Sequence, residues 1–442
     1  MFSLANTLSF LDNSNLNWKS IIVGFTIGQY AFENYLSYRQ YKVLKRATPP
    51  PSLKAEISQE TFDKSQEYSR AKSKFGFITS TISLAQNLAV IKYNLLPYFW
   101  NFAGTLMQKS ASILPKFMSG TITQSLFFLN VISIVGDIVG LPTSYYYNFV
   151  LEEKFGFNKL TKKLFLIDTL KSAALRIVFV TPILAGFLKI LDHFGESFIV
   201  YMCVFVLALQ LIGMTIFPIL IQPLFNKFTP LEDGELKTAI ENLAAQQKFP
   251  LNKLYVIDGS KRSSHSNAYF TGLPWSKQIV LYDTLIEQSS VDETVAVVAH
   301  EIGHWKLSHL VQMLTYIQAH MFFVFSMFSA FINNRSLYSS FGFTSTQPAM
   351  IGFMLFNDIF EPVESVMKFA QNLLSRKNEY EADAFAKEQG YSDNLSVALI
   401  KMLSENLSTM DADWLYSSYH HSHPILSERL NALGYVSKKK IA

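Results

Sequence analysis

The pentapeptide His300-Glu301-Ile302-Gly303-His304 combines the residue types that a hydrolytic metal site requires. Two histidines four residues apart lie one above the other on one face of a helix, so both imidazoles can bind one tetrahedral zinc ion. The intervening Glu301 then lies beside the water that the metal activates, where a carboxylate can act as general base. The spacing therefore predicts a catalytic site with one Zn²⁺ per chain.

The residues before this motif predict the helix that must carry it. Ser290 and Glu293 form a capping-box pattern, which predicts a helix that begins near Val291. Apolar residues recur at helical spacing after this cap, so one stripe is apolar while His300 and His304 share a separate line along the helix. Outside such a context, the alternative interpretation is a pair of ordinary surface histidines.

An acidic segment later in the chain supplies the candidate third ligand. Glu379 and Asp383 lie four residues apart among helix-forming residues, so they share one helical face. Three protein ligands leave a fourth coordination position for water, which catalytic zinc needs. We therefore expect Glu379 to bind the metal and Asp383 to accept the free ring N–H of a ligating histidine. Glu381 points elsewhere on this helix and is interpreted as a solvated charge.

Composition places this chemistry in a membrane. Of the 442 residues, 49% are hydrophobic and 16% are charged, whereas about 25% of the residues in an average soluble domain are charged. The sequence predicts a mainly α, polytopic membrane protein in which each span has about 20 apolar residues, enough to cross the hydrocarbon core. The seven predicted spans cover residues 17–38, 78–107, 121–147, 170–191, 197–221, 309–332 and 348–375.

Basic residues predict how the chain is oriented. Lysines and arginines collect in the connections after the first and third predicted spans, and connections of this kind stay in the cytoplasm. Seven spans then place the N-terminus in the lumen and the C-terminus in the cytoplasm. The net charge of +4 is small and follows the loops, so it gives no support to nucleic-acid binding. Membrane lipid is an expected partner because the chain is predicted to span the membrane.

The spans divide the chain into four predicted parts. Five membrane helices with cytoplasmic loops occupy residues 1–221, and a cytoplasmic metalloprotease segment with the HExxH helix occupies 222–308. The sixth and seventh membrane helices occupy 309–375, and a cytoplasmic segment that supplies the third ligand occupies 376–442. A small β-sheet is expected beside the HExxH helix, with strands at 253–258 and 277–283 and an edge segment that begins at Asn267.

Four segments are similar to those of the type I CAAX prenyl protease family, and the resemblance extends over nearly the whole chain. They are the HExxH helix, Asn378-Glu-Tyr-Glu-Ala-Asp-Ala-Phe-Ala386, Ser264-His-Ser-Asn-Ala-Tyr-Phe-Thr-Gly272, and Tyr419-His-His-Ser-His-Pro424 with Glu428-Arg429. The resemblance implies a gluzincin-like zinc endopeptidase of the endoplasmic reticulum and inner nuclear membrane. Such an enzyme removes the last three residues of a C-terminal Cys-a-a-X sequence after prenylation. The resemblance also implies seven helices that enclose a chamber and, for fungal members, a second upstream cut in a mating-pheromone precursor.

The same resemblance assigns the site residues. Carried over position by position, the metal ligands fall on His300, His304 and Glu379, the general base on Glu301, and the auxiliary residues on Asn267, Asp383, His423 and Arg429. Hydrolysis develops negative charge on an oxygen, and His423 and Arg429 are candidate donors to it. His420 and His421 compete with His423 by residue type. Asn267, at the predicted sheet edge, is expected to hold the backbone of an extended substrate.

Two other functions are open to a chain of this kind. One is a broader quality-control protease that uses the same zinc site, and the other is a transporter or scaffold with structural zinc. Structural zinc sites usually close with four protein ligands, often cysteines, whereas Cys203 is the single cysteine of this chain. The C-terminal Lys438-Lys-Lys-Ile-Ala442 resembles a dilysine retrieval signal, which agrees with the endoplasmic reticulum and a cytoplasmic C-terminus.

Overall fold

Long helices dominate the part of the chain before residue 230. The computed structural model describes residues 7–116, 118–273 and 276–438, so Lys439 and Lys440 of the dilysine pattern lie outside the described residues. The long helices are α1 (Trp18–Val43), α2 (Gln59–Lys92), α3 (Leu95–Lys109), α4 (Gly120–Tyr146), α5 (Lys162–Leu175), α6 (Thr181–Phe194) and α7 (Phe198–Ile216). The π-helical segments Tyr147–Glu152, Arg176–Val180 and Phe217–Ile221 extend α4, join α5 to α6 and extend α7.

The second predicted span is wrong as a single helix. The structure divides residues 78–107 between α2 and α3, because Asn94 adopts a left-handed backbone conformation (φ 51°) between them. Asparagine tolerates this conformation better than most residues, since its short polar side chain can form local hydrogen bonds. Hydropathy alone does not register this break, because apolar residues continue on both sides of it.

Within the described residues, four helices are long and apolar enough to cross a membrane. They are Gly120–Glu152, Lys162–Phe194, Phe198–Leu224 and His309–Ser329, identified by length and composition. At most 17% of each apolar window is buried inside the chain. Because contiguous apolar surfaces of this size are unfavourable in water, these helices require lipid around them. The full count of seven spans stays a prediction.

The second half of the chain contains shorter helices around one very long one. The helices are α8 (Glu235–Gln247), α9 (Asp283–Gln288), α10 (Val291–Lys306), α11 (His309–Ser329), α12 (Arg335–Ser340), α13 (Ala349–Glu388), α14 (Ser392–Glu405), α15 (Trp414–His420) and α16 (Leu426–Leu433). Helix α13 has 40 residues and runs without interruption from the seventh predicted span into the acidic segment. A single helix therefore connects the membrane region to the candidate metal ligand.

A four-stranded sheet accompanies these helices. Its strands β1 (Phe228–Pro230), β2 (Leu251–Ile257), β3 (Ala268–Leu273) and β4 (Ser276–Tyr282) lie in the order β1-β2-β4-β3. Strands β2 and β4 are parallel, whereas β1 and β3 pair antiparallel with β2 and β4, respectively. The predicted strands and the edge segment are confirmed, since β3 is an edge strand that begins directly after Asn267.

Buried apolar residues cluster at the two ends of the long helices. The largest cluster joins the start of α1, the end of α2, the start of α4, the end of α11 and the start of α13. A second cluster packs α10 against the sheet, α8 and α14. Between these ends, the middle parts of the helices contain no buried residue. This holds for five fully described stretches: 70–90, 129–150, 203–224, 310–323 and 361–375. The helices are therefore packed at their ends and open along their middles.

Candidate metal centre

Helix α10 begins at Val291, as predicted, and its first turn is fixed by a complete capping box. Ser290 Oγ accepts a hydrogen bond from Glu293 N (3.3 Å), and Glu293 Oε2 accepts one from Ser290 N (2.9 Å). Lys401 Nζ on α14 donates to the same carboxylate at 2.7 Å. The buried apolar residues of this helix are the predicted stripe of Val295, Val298, Ala299 and Ile302 together with Ala296 and Val297. Packing of α10 against the sheet, α8 and α14 places its two histidines beside Glu379 of α13.

Gly303 allows α10 and α13 to approach closely. A Cβ atom at this position would lie 3.2 Å from both the Cα and the carbonyl oxygen of Ala382, and 3.1 Å from the ring of Phe385. Two of these neighbours are backbone atoms, which cannot move aside as a flexible side chain can. The glycine inside the HExxH motif is therefore what permits the helix contact that brings Glu379 to the histidines.

His300, His304 and Glu379 present one ligand atom each to a common point. The Nε2 atoms of the histidines are 3.2 Å apart. Glu379 Oε1 lies 3.2 Å from His304 Nε2, and Glu379 Oε2 lies 3.5 Å from His300 Nε2. The three ligand atoms fall within 4.8 Å of one another. Two imidazoles and one carboxylate form the donor set of a catalytic metal site with an open fourth position.

The burial of Glu379 is a further reason why these residues fit a divalent metal ion. Glu379 is only 4% exposed, and its carboxylate oxygens lie within 3.5 Å of imidazole nitrogens of His300, His304 and His423. A buried carboxylate is unfavourable unless a charge compensates it, and a cation held between the three candidate ligands would do so. The imidazole nitrogens on the same side of the site are also the atoms that bind first-row metals.

Asp383 lies on the side of His300 that faces away from Glu379. Its Oδ1 atom lies 2.9 Å from His300 Nδ1, the ring nitrogen that does not face Glu379. Arg429 donates to both oxygens of Asp383, through Nε at 2.8 Å and Nη2 at 2.6 Å. Its Nη1 atom is 3.5 Å from Glu379 Oε2. A carboxylate behind a ligating histidine fixes the tautomer and increases the basicity of the ligand.

His309 supports the second histidine and was missed in the sequence. His304 Nδ1 and His309 Nδ1 are 2.9 Å apart, and His309 Nε2 lies 3.1 Å from Glu381 Oε2. Both contacts can be hydrogen bonds at once: His304 Nδ1–H donates to His309 Nδ1, and His309 Nε2–H donates to the Glu381 carboxylate. Glu381 was interpreted as a solvated charge, and this contact corrects that interpretation. A third histidine close after HExxH was the available signal.

A left-handed residue explains why spacing alone did not reveal His309. On a continuous helix, a residue five positions after His304 would lie about 140° around the axis from it. Ser308 instead adopts φ 58° between α10 and α11, so α11 starts in a new direction. His309, the first residue of α11, is thereby returned to His304 and is 2% exposed.

Glu301 lies between the two histidines in the sequence, and it lines the same cavity as His300, His304 and Glu379. No hydrogen bond or ion pair to its carboxylate occurs within the described ranges of the chain. Burial raises the pKa of Glu301 above its ordinary value, and the neighbouring His300 and His304 oppose this rise only in part. A free carboxylate with a raised pKa suits a group that accepts and returns a proton.

Three histidines of the C-terminal motif, His420, His421 and His423, line the cavity beside the candidate ligands. His423 Nδ1 lies 2.9 Å from Glu379 Oε2, and the His423 side chain is 63% exposed. His420 lies 3.2 Å from Glu33 on α1. Burial of His421 lowers its pKa to about 4. Among the described residues of this motif, His423 is therefore the histidine within hydrogen-bond distance of a candidate metal ligand.

Arg376 on α13 holds the loop that carries His423. It donates to Ser417 Oγ at 3.0 Å, to the carbonyl oxygen of His423 at 3.3 Å and to Glu428 Oε2 at 2.7 Å. Glu428 also accepts a hydrogen bond from Ile425 N, which caps α16. The long helix therefore carries the candidate third ligand and anchors the loop that faces it.

Opposing effects act on the ionisation of the ligands in the absence of metal. Burial disfavours the charged form of His300, but hydrogen bonds with Asp383 and Glu379 outweigh it and raise its pKa to about 9. Burial alone would raise the pKa of Glu379, yet hydrogen bonds from His300, His304 and His423 hold it well below its usual range. The metal-free site therefore carries a proton on His300 at neutral pH.

The three candidate ligands and Glu301 line one open cavity of about 830 Å³. The lining residues include every candidate that sequence reasoning assigned to the reacting surface: Asn267, His300, Glu301, His304, Glu379, His423 and Arg429. Asp383 lies behind this surface, 1% exposed. Asn267 precedes the edge strand β3, so the cavity runs from the candidate ligands to the start of that strand.

The arrangement defines a metallopeptidase: an open three-ligand metal site beside an unpaired carboxylate and a strand edge that can take a peptide. Sequence comparison narrows this class. Residues 40–227 match the N-terminal family of CAAX prenyl proteases, which has five membrane helices, and residues 230–437 match peptidase family M48. The chain therefore belongs to peptidase family M48, among its CAAX prenyl protease members.

Individual relatives match over almost the full chain. CAAX prenyl protease 1 of Saccharomyces cerevisiae is 53% identical, and the match covers 98% of both chains. The CAAX prenyl protease 1 homolog of Homo sapiens is 38% identical over 91% of this chain and 92% of its own length. The crystal structure of S. mikatae Ste24p, at 52% identity, has a TM-score of 0.90 and covers 95% of this chain and 99% of that one.

Proposed function

We propose that this chain is an integral-membrane zinc endopeptidase that removes the C-terminal aaX tripeptide from prenylated CAAX proteins. The proposal depends most on one observation: the candidate ligands, the unpaired Glu301 and the start of edge strand β3 share a single cavity. The names of its relatives, CAAX prenyl protease 1 in S. cerevisiae and H. sapiens, supply the substrate class. The donor set of two histidines and one glutamate favours zinc.

Glu301 performs the proton transfers in this proposal. A bound zinc ion supplies Lewis-acid activation of a water molecule and of the scissile carbonyl. Glu301 takes a proton from that water and passes it to the leaving amine, a role supported by its raised pKa and by the lack of any partner within the described chain. General acid–base catalysis of this kind contributes about 10²- to 10⁴-fold to a rate.

Two groups are proposed to stabilise the negative charge of the reaction. His423 is exposed to the cavity and lies next to Glu379, so its ring can donate to a substrate oxygen. Arg429 uses Nε and Nη2 for Asp383, which leaves Nη1 as its donor toward the site. Asp383 is proposed to hold His300 and Arg429 in place, and Asn267 to bind the substrate backbone at the strand edge.

The membrane region is proposed to form a chamber of seven spans. Support comes from helices that are packed at their ends yet have unburied middles, as in 129–150, 203–224 and 361–375. Several charged groups in the predicted spans have partners there, including Arg176 with Asp137 and His320 with Glu364 at 3.0 Å. Such a chamber would admit an extended peptide but exclude a folded protein.

The proposed location is the endoplasmic reticulum and inner nuclear membrane, with a lumenal N-terminus and a cytoplasmic C-terminus. The basic connections after the first and third predicted spans support this orientation. The parts 222–308 and 376–442 are then both cytoplasmic, as they must be to share one site. A second, upstream cut in a mating-pheromone precursor belongs to the same proposal, because the strand edge binds backbone and tolerates different side chains.

The test compares peptides that differ only in the lipid. Purified protein in detergent is given a farnesylated Cys-a-a-X peptide and its unprenylated counterpart, and the products are identified by mass. The proposal predicts release of the intact aaX tripeptide, with a clear preference for the farnesylated peptide. Equal cleavage of both peptides at many positions would instead identify a general quality-control protease.

A further inference from the structure

A second cavity, of about 730 Å³, lies where the membrane helices meet the sheet. It shares no lining residue with the metal cavity among the described residues. Its wall comes from α5, from the end of the span Phe198–Leu224, and from strand β2 with the turn that follows it. The lining includes five basic residues and no acidic one: Lys171, Lys227, Lys253, Lys261 and Arg262. The cavity is therefore strongly positive.

Most of these cations lack a charged partner. Within the described ranges, no ion pair involves Lys227, Lys253 or Lys261, and all three side chains are exposed. Lys171 Nζ donates to the carbonyl oxygen of Leu224 at 2.7 Å rather than to an acid. Like charges that converge on one concave surface raise the local potential and favour an anion there.

Arg262 supplies a donor that has no acceptor. Its Nε and Nη2 atoms donate to Asp168 at 2.9 and 3.2 Å. Its Nη1 atom is buried and has no hydrogen-bond partner in the described chain. Buried guanidinium nitrogens without an acceptor are unfavourable, and the oxygens of a phosphate match their geometry.

The other side of the cavity is apolar and belongs to a candidate membrane span. Ile219 and Leu224 line it and are 58% and 45% exposed. Both belong to the span Phe198–Leu224, whose apolar window is 0% buried inside the chain. An occupant of this cavity therefore meets cations at one end and acyl chains of the bilayer at the other.

We propose that this cavity binds the phosphate headgroup of an anionic phospholipid, with the acyl chains lying along Ile219 and Leu224. A phospholipid fits both halves of the wall, whereas a free phosphate fits only the basic half. Bound lipid would hold the sheet against the membrane surface, because three of the five cations belong to β2 and the turn after it while the apolar wall belongs to a span. The site is separate from peptide hydrolysis and does not depend on the substrate proposed above.

The test is lipid retention by full-length protein in detergent, measured by native mass spectrometry. Phosphatidylinositol 4-phosphate is the probe and phosphatidylcholine is the reference. The cavity variant carries Lys227→Gln, Lys253→Gln and Lys261→Gln. The control carries Lys159→Gln, Lys162→Gln and Lys163→Gln, which removes the same charge from exposed positions near the start of α5 that do not line the cavity.

We expect the cavity variant to bind the anionic lipid up to roughly 100-fold more weakly, since each exposed ion pair with the phosphate contributes up to about fivefold. The control should bind within about twofold of the unmodified protein, and phosphatidylcholine should bind equally to all three. Equal losses in both variants would overturn the proposal in favour of diffuse surface charge. Displacement of the lipid by inorganic phosphate at comparable concentration would also overturn it and identify a free-phosphate site.

Discussion

His304 and His309 face each other with their Nδ1 atoms 2.9 Å apart, and this contact links the second metal ligand to Glu381. We predict that His309→Phe lowers metal affinity by about 10- to 100-fold, the usual cost of removing a group that orients a metal ligand. Phenylalanine keeps the ring but leaves the His304 N–H without an acceptor. Competition with a chromogenic chelator measures the affinity.

The substitution His309→Gln should recover part of that affinity, because the amide oxygen can accept the same hydrogen bond. His320→Gln is the matched control, since His320 lies on the same helix but pairs with Glu364. An unchanged metal affinity in His309→Phe would show that the contact has no positioning role.

The sequence predicts those parts of the site that lie along one uninterrupted helix, and it does not predict the parts that follow a break in a helix. The capping box fixed the start of α10, and Glu379 and Asp383 share a face because α13 is continuous through them. His309 was missed because Ser308 breaks the helix with a left-handed conformation. The break at Asn94 was missed for the same reason. Periodicity predicts residues along one helix, whereas a single left-handed residue redirects everything after it.

Gly303→Ala should weaken the contact between α10 and α13. The added Cβ would lie 3.2 Å from backbone atoms of Ala382, so the helices must separate slightly. We predict a loss of about 1–3 kcal/mol in the free energy of unfolding, the usual cost of overpacking, together with weaker metal binding. Thermal unfolding in detergent with and without chelator separates the two effects.

Gly76→Ala provides the control for that experiment. Gly76 lies in helix α2 with nothing within 4 Å of an added Cβ, so alanine there should be neutral or stabilising by up to about 1 kcal/mol. If Gly303→Ala were as harmless as Gly76→Ala, close approach of the two helices would not explain the glycine.

Arg376→Ala should release the loop that carries His423. We predict a fall in kcat of about 10-fold or more with nearly unchanged metal content, because the ligands themselves do not contact Arg376. The matched change Lys387→Gln, at an exposed position of the same helix, should leave kcat unaltered. A normal kcat in Arg376→Ala would show that catalysis does not require Arg376 to anchor the loop.

Metal binding should release protons at neutral pH. The pKa of His300 in the metal-free site is raised to about 9, so at pH 7 this imidazole is protonated and must lose its proton to bind metal. We predict that at least one proton is released per metal ion at pH 7 and that release declines as the pH rises through 9. Calorimetric titrations in buffers of different ionisation enthalpy count these protons. Release that is absent at pH 7 contradicts the predicted charge on His300.

The most direct measurement is cleavage of a farnesylated Cys-a-a-X peptide by the unmodified protein and by Glu301→Gln, with the metal content of each determined in the same preparation. The account predicts one zinc ion per chain in both proteins, and a rate at least about 10²-fold lower in Glu301→Gln, since only the proton-transferring carboxylate is lost. Chelation should abolish the remaining activity, and added zinc should restore it. Undiminished cleavage by Glu301→Gln with its metal retained would contradict the account.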